Sequence, residues 1–247
     1  MFGLFNKKKP EKKHANFNYE SIMVDMHSHV LPGIDDGAKT PEDSIILIRK
    51  MMELGIKKII ATPHVMIDFY RNTPETITNA LNILKAELIK ENIDIPVEAA
   101  AEHYFDETFE ARVKEGRLIT MGDNYALFEF SFINKPPNAV PVIQKMNDLG
   151  YKPILAHPER YPYMDLEQFK NLHNWGCNFQ LNTISLTGYY GKESKKLAET
   201  LIDNELIDFI SSDMHHTKHA AALKDALNTT YIEKLLFDYP LKNSLLF

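Results

Sequence analysis

At 247 residues, with 44% hydrophobic and 25% charged side chains, the chain can form one large α/β domain or two small ones around a sizeable core. A formal charge of −6 argues against a general nucleic-acid binder. The single cysteine, Cys177, excludes an intramolecular disulfide and fits a reducing cytoplasm.

Residues 1–20 differ from the rest: a short apolar start, Met1 to Phe5, runs into Lys7, Lys8, Lys9, Lys12 and Lys13. They read as a flexible basic tail, with weak contact to a membrane surface as the alternative, since basic residues beside apolar ones favour anionic lipid. No signal peptide is expected, because the apolar core and small-residue cleavage site are missing. No apolar run approaches the roughly 20 residues that span a bilayer.

From residue 21 the pattern becomes regular, and 21–247 reads as one domain. A buried strand leads into Asp25-Met26-His27-Ser28-His29. Residues two apart on a strand share a face, so His27 and His29 project together with Asp25 one step behind. A loop with Gly33 and Gly37 precedes a helix over about 41–54, with Thr40 as N-cap, Pro41 in the first turn and Gly55 as the stop. A second strand, 58–62, runs into Pro63-His64. A helix over about 74–91 carries Ile77, Leu81, Leu84 and Leu88 at helical spacing. A third strand over about 96–101 ends at Glu102-His103, a short helix follows near 106–115, and a fourth strand from Tyr125 ends at Glu129. The rhythm then repeats. Helices at about 138–148, 165–174 and 191–203 alternate with strands leading to His157, Asn182 and Asp213-Met214-His215, before a C-terminal helical region. Seven strand-then-helix units in a row predict a parallel sheet with right-handed crossovers, closed or nearly closed into a barrel.

Six of the seven strands thus end in a metal-ligating residue type: His27 and His29, His64, Glu102, Glu129, His157, and Asp213 with His215. In such a barrel the carboxyl ends of the strands meet on one face, which gathers these side chains. Each has a bland explanation alone, as a turn residue or a satisfied buried acid. Jointly the bland reading needs unpartnered acids at unrelated strand ends, which is costly. Imidazole and carboxylate without thiolate favour Mn, Fe, Zn or Mg. Eight ligands are too many for one ion, so two or three are implied. With Asp36 added to Glu102, Glu129 and Asp213, four carboxylates against three divalent ions leave an excess of about +2, suited to a phosphate dianion and a bridging hydroxide. Metal-assisted phosphoester hydrolysis follows. The remaining histidines, His14, His103, His173, His216 and His219, are expected at the surface or behind the ligands.

These stretches resemble the PHP (polymerase and histidinol phosphatase) superfamily, and more closely the manganese-dependent protein-tyrosine phosphatases of bacterial capsule and exopolysaccharide operons. The resemblance is carried by Asp25-Met26-His27-Ser28-His29 through Asp35-Asp36-Gly37, Thr62-Pro63-His64, Ala101-Glu102, Phe128-Glu129-Phe130, Ala156-His157-Pro158-Glu159-Arg160 and Ser212-Asp213-Met214-His215. It implies a distorted seven-unit (β/α) TIM-like barrel of the PHP type with the eight named residues as metal ligands, and Mn²⁺ as the cofactor, with Fe or Zn as alternatives. It also implies Asp36 as general acid or neighbour of a third ion, Arg160 as a catalytic, phosphate-binding arginine, and a cytoplasmic phosphatase acting on the phosphotyrosine tail of a bacterial tyrosine kinase. Where the comparable phosphatases carry a further arginine after Asp-x-His, this chain reads His216-Thr217-Lys218-His219, so Lys218 is the candidate substitute for substrate binding. A small-molecule phosphatase, such as one for histidinol phosphate, and a non-catalytic metal-stabilised docking module are the alternative functions. Cys177 lies at a strand start with no arginine following, which excludes a cysteinyl-phosphate mechanism.

Overall fold

A computed structural model of the chain describes residues 17–247. Its strands are β1 (Val24–Asp25), β2 (Lys58–Ala61), β3 (His64–Met66), β4 (Tyr70–Arg71), β5 (Val97–Ala99), β6 (Glu102–Tyr104), β7 (Tyr125–Glu129), β8 (Lys152–Ala156), β9 (Asn178–Asn182) and β10 (Phe209–Ser211). Between them run α1 (Pro41–Glu53), α2 (Pro74–Lys90), α3 (Phe109–Lys114), α4 (Ala139–Asp148), α5 (Leu166–Asn174) and α6 (Lys192–Asp203); α7 (Thr217–Ala226) and α8 (Thr230–Phe237) follow. The alternation yields a mixed α/β fold whose neighbouring strands are parallel, apart from the β3–β4 hairpin. Among the described residues no helix is long and apolar enough to cross a membrane.

The strands fall into two sheets, β1–β2–β5 and β10–β9–β8–β7–β6–β3–β4. The chain passes from the first to the second twice, at Thr62-Pro63 between β2 and β3 and at Ala100-Ala101 between β5 and β6. Proline has no N–H to give a ladder, so the regular pairing lapses there. Irregular bonds bridge the gap: the Ala100 amide donates to the Ala61 carbonyl (2.8 Å) and the Glu102 amide to the Pro63 carbonyl (3.1 Å). His64 and Glu102 were expected just beyond two strand ends. Instead each opens a new short strand directly after a break.

β1 and β10 share no ladder. Backbone contacts join their upper ends, among them a parallel bridge between Ser28 and Met214, the Asp213 amide donating to the His27 carbonyl (2.9 Å), and the His29 amide donating to the Met214 carbonyl (2.9 Å). At the lower end the buried Asn243 amide does the same work. Its Nδ2 donates to Val24 and Ile210 carbonyls (3.0 and 2.8 Å), and its Oδ1 accepts from the Ile210 amide (3.1 Å).

Strand alternation separates two cores. Ala126 and Phe128 of β7 join the large apolar layer beneath the helices, whereas Tyr125 and Leu127 face inward with Val24, Ile60, Ile154, Phe209 and Leu246. Glu129 continues that inward face by one more step, so the same period that fills the lower interior with apolar side chains delivers a carboxylate at its top.

Two of the described residues in the stretch expected as a tail, Phe17 and Tyr19, pack against the C-terminal helices. Tyr19 is fully buried, its hydroxyl donates to the Leu223 carbonyl (2.7 Å), and Phe17 packs edge-on against Phe237. The lysine cluster, His14 and the proposed membrane contact lie outside the described residues.

Candidate metal centre and active site

Strand ends and breaks bring all eight expected ligands together. His27 Nε2 lies 3.2 Å from His29 Nε2 and 3.3 Å from both Glu102 Oε2 and Asp213 Oδ1. His64 Nδ1 is 3.0 Å from Glu102 Oε2 and 3.2 Å from Glu129 Oε1, and His157 Nε2 is 3.0 Å from Glu102 Oε1. Asp36, its side chain half exposed, places Oδ1 3.4 Å from His64 Nε2 and 3.5 Å from His215 Nε2. Four overlapping groups result that would suit a metal ion: His29, Asp36, His64 and His215; His27, His29 and Asp213; His27, Glu102 and His157; His64, Glu102 and Glu129.

Three observations test the fit to divalent cations. First, ligands about 2.0–2.2 Å from an ion are separated from one another by about 3 Å, which is the spacing found here. Second, Glu102 Oε2 and His64 Nδ1 are buried without a hydrogen bond although only 3.0 Å apart. That is the arrangement of two donor atoms facing a shared cation rather than each other. Third, four imidazoles are oriented from behind, as metal-binding histidines usually are. His27 Nδ1 meets Gln180 Oε1 (2.8 Å), His29 Nδ1 meets Asp35 Oδ2 (2.8 Å), His215 Nδ1 meets the Asp213 carbonyl (2.9 Å) and His157 Nδ1 approaches the Tyr161 hydroxyl (3.4 Å).

The electrostatics agree. Burial favours protonated carboxyls at Glu102 and Asp213, but neighbouring imidazoles outweigh it and hold both well below the usual carboxylate range. Reciprocally, burial opposes a charged His27, His29 or His64, yet the carboxylates around them push all three upward. Bound cations would supply the positive charge that protons otherwise provide.

Two of the six described non-glycine residues with positive φ are candidate ligands. His157 and Asp213 both adopt positive φ (34° and 50°), uncommon for residues with a side chain. Gly37 allows the acidic loop to approach: a Cβ there would sit 2.0 Å from the His29 carbonyl oxygen. The Gly37 amide also donates to Asp35 Oδ1 (2.9 Å), fixing the carboxylate that orients His29. The expected N-cap, Thr40, forms a capping box with Asp43 and starts α1 immediately beyond.

Above the cluster lies a cavity of about 550 Å³, walled by Tyr70, Tyr104, Phe132, Ile133 and Tyr190, with Arg160 at one side. Arg160 is where the sequence predicts it. Lys218 is not: it is exposed on the first turn of α7 and does not line the cavity, because His219 beside it on the helix takes the inward direction. Asp25, one step behind the histidines, is held by β10. Its carboxylate accepts from Ser211 Oγ (2.8 Å) and the Ser212 amide (2.9 Å), and burial pushes its pKa up to about 6.

Several supporting residues escaped the sequence reading. Gln180 Nε2 donates to Asn182 Oδ1 (3.0 Å) and Asn182 Nδ2 to Asp213 Oδ2 (2.7 Å), linking β9 to the cluster. β9 lacks a ligand, yet Asn178, Gln180 and Asn182 alternate with Phe179 and Leu181, and that polar face on a central strand is the signal. His103 and His173 lie behind the site or away from it, whereas the exposed His216 lines the cavity with the buried His219, whose Nδ1 meets the Asp213 carbonyl (2.9 Å).

Residues 23–240 match the family model described as capsular polysaccharide synthesis, CpsB/CapC. The chain belongs to the CpsB/CapC family. The tyrosine-protein phosphatase YwqE of Bacillus subtilis is 35% identical over 199 residues, covering 79% of this chain and 78% of the relative. A crystal structure from the pair YwqE of Bacillus subtilis and CpsB of Streptococcus pneumoniae, described as unique metal-dependent tyrosine phosphatases, superposes with a TM-score of 0.80. Its identity is 31%, over 91% of this chain and 94% of the other. An amidohydrolase from Mycoplasma synoviae shares the fold alone (TM-score 0.57, 12% identity, 93% and 88% coverage). The residues matched to the CpsB/CapC family contain the whole cluster, from His27 to His215.

Proposed function

We propose that this CpsB/CapC family member is a metal-dependent protein-tyrosine phosphatase. Its substrate would be the phosphotyrosine tail of an exopolysaccharide-system kinase. The observation that carries the reading is the convergence of nine imidazole and carboxylate side chains under one cavity that also holds Arg160. The phosphatases related to this chain support the reaction class. A cytoplasmic setting fits the lone thiol of Cys177. The parallel strands, joined at the top by the Ser28–Met214 bridge and at the bottom by Asn243, support a distorted seven-unit barrel of the PHP type, with residues 17–247 as one domain.

His27, His29, His64, Glu102, Glu129, His157, Asp213 and His215, with Asp36, would hold two or three divalent ions. Mn²⁺ is the first choice for this oxygen- and nitrogen-donor set, and Fe or Zn would also be accepted. Such ions, when bound, activate water and offset phosphate charge. Arg160 presents planar donors to the phosphate oxygens. Asp36 lies within the ligand quartet, which supports a place near a third ion over that of a separate general acid. A phenol, with a pKa of about 10, leaves with less help from an acid than an alkyl alcohol needs. The aromatic walls flank the bound ester and limit water around it.

The test is hydrolysis by Mn²⁺-loaded protein of a phosphotyrosyl peptide, the matching phosphoseryl peptide and histidinol phosphate. The expected result is a kcat/KM for phosphotyrosine at least about tenfold above the others. Preference for histidinol phosphate would overturn the substrate. A metal-loaded protein without turnover would overturn the enzyme.

A further inference from the structure

Arg160 is the only arginine or lysine lining the active-site cavity among the described residues. Its guanidinium carbon lies 4.3 Å from the ring centroid of Phe132 and 4.2 Å from that of Tyr190. Both distances are well inside the range of a cation–π contact, so two rings share one cation. Phe132 comes from the segment after β7 and Tyr190 from the turn before α6, so neither ring depends on the helical turn that carries Arg160.

The nearest carboxylate makes this contact consequential. Arg160 Nη1 is 3.5 Å from Asp213 Oδ2, beyond ordinary hydrogen-bond length, whereas Asn182 Nδ2 holds that oxygen at 2.7 Å. A free arginine beside a buried aspartate would be drawn into a two-pronged pair with it. That pairing would consume the donors and compete for a metal-ligating oxygen. Here the rings fix the cation while Asn182 satisfies the carboxylate.

We propose that Phe132 and Tyr190 form an aromatic clamp that positions Arg160 for the phosphate and keeps it from collapsing onto Asp213. They are positioning residues, and the inference rests on the reading of Arg160 as a phosphate contact. With two rings against the guanidinium, its N–H donors are what remains for substrate, so the phosphate meets Arg160 through them. The rings already stacked there compete with the substrate's aromatic ring for Arg160, which leaves that ring to Tyr70 and Tyr104 of the same cavity. Ring area rather than the phenol supplies the clamp: the buried Tyr190 hydroxyl has no hydrogen-bond partner among the described residues.

The experiment measures kcat, KM and inhibition by inorganic phosphate in metal-loaded wild type, Phe132→Leu, Tyr190→Leu, Tyr190→Phe, Arg160→Ala and the combinations of Arg160→Ala with each leucine variant. Metal content is measured on the same samples. Each leucine variant should raise KM for a phosphotyrosyl peptide and the inhibition constant for phosphate by about three- to tenfold, with metal content unchanged. Tyr190→Phe should restore what Tyr190→Leu loses. In the Arg160→Ala background the leucine substitutions should add less than about twofold, because the cation they position is gone. Loss in Tyr190→Phe equal to that in Tyr190→Leu would overturn the clamp, as would full additivity with Arg160→Ala. A wild-type phosphate constant in both leucine variants would also overturn it. An Arg160→Ala protein as active as wild type fails differently: it removes the phosphate contact itself.

Discussion

Asp208 and Asp213 lie at opposite ends of β10, and both are buried. At the lower end Asp208 has partners of its own. Lys242 Nζ reaches Oδ1 at 2.7 Å, His173 Nε2 reaches Oδ2 at 3.2 Å, and the Phe179 amide donates to Oδ2 at 2.9 Å. At the upper end Asp213 faces the imidazoles of His27, His29 and His215 at 3.3–3.4 Å, with Asn182 as its close donor and Arg160 held off. The first carboxylate is neutralised by the fold and binds its elements together. The second is surrounded by groups that are themselves metal ligands in type, so its charge balance depends on what binds. The same strand thus separates stability from chemistry.

Breaking the upper end should have the largest effect. His27→Ala or Asp213→Ala should lower turnover by at least about 10³-fold through loss of metal, with a native-like circular dichroism spectrum. Unchanged activity in either would remove it from the ligand set. Next comes Arg160→Ala. Loss of a charge-stabilising contact costs about 2–4 kcal/mol, so kcat/KM should fall about 10²–10³-fold at constant metal content, measured by elemental analysis.

The lower end should respond in stability instead. Asn243→Ala removes the three hydrogen bonds by which Asn243 ties β1 to β10 and leaves their partners buried, a loss of about 2–3 kcal/mol in denaturant unfolding without change in metal stoichiometry. Asp208→Asn is milder, about 1 kcal/mol, because the amide retains part of the bonding. Its pH dependence has a definite sign. Burial tends to raise the Asp208 carboxyl, but His173, Lys242 and the Phe179 amide outweigh this and hold it below its ordinary range. A depressed native pKa contributes stability that is complete above the unfolded value of about 3.9 and is lost as pH falls through the native one. The gap between wild type and Asp208→Asn should therefore be full near neutrality and close below about pH 4. At the small extreme, Cys177→Ser should leave turnover unchanged. The thiol is buried in the outer core and burial pushes its pKa up, so it offers no nucleophile.

The convergence of candidate ligands at the upper end was legible because a ligand needs a particular residue type, and types are visible in a sequence. His27, His29 and Glu129 announce themselves by strand periodicity, and helix bounds follow from caps such as Thr40 and breakers such as Gly55. The split of the parallel strands into two sheets was not legible, since Pro63 signals a lapse in pairing but Ala100-Ala101 does not. Asn243 was invisible for another reason: its partners, Val24 and Ile210, are distant in sequence, and an asparagine near a chain end has no pattern of its own. Lys218 shows the limit of reasoning from charge alone. Spacing put a cation near the site, but the direction of a helical side chain sent it to solvent.

Glu102 offers the most direct test, because its two oxygens lie 3.0–3.4 Å from the imidazoles of His27, His29, His64 and His157, and Oε2 has no hydrogen bond. Metal content and phosphotyrosyl-peptide hydrolysis should be measured on the same preparations of wild type and Glu102→Ala. The account predicts two or three divalent ions per wild-type chain, activity that a chelator abolishes and Mn²⁺ restores, and loss of metal and hydrolysis together in Glu102→Ala. Full metal occupancy in Glu102→Ala, or undiminished hydrolysis by chelated wild type, would contradict it.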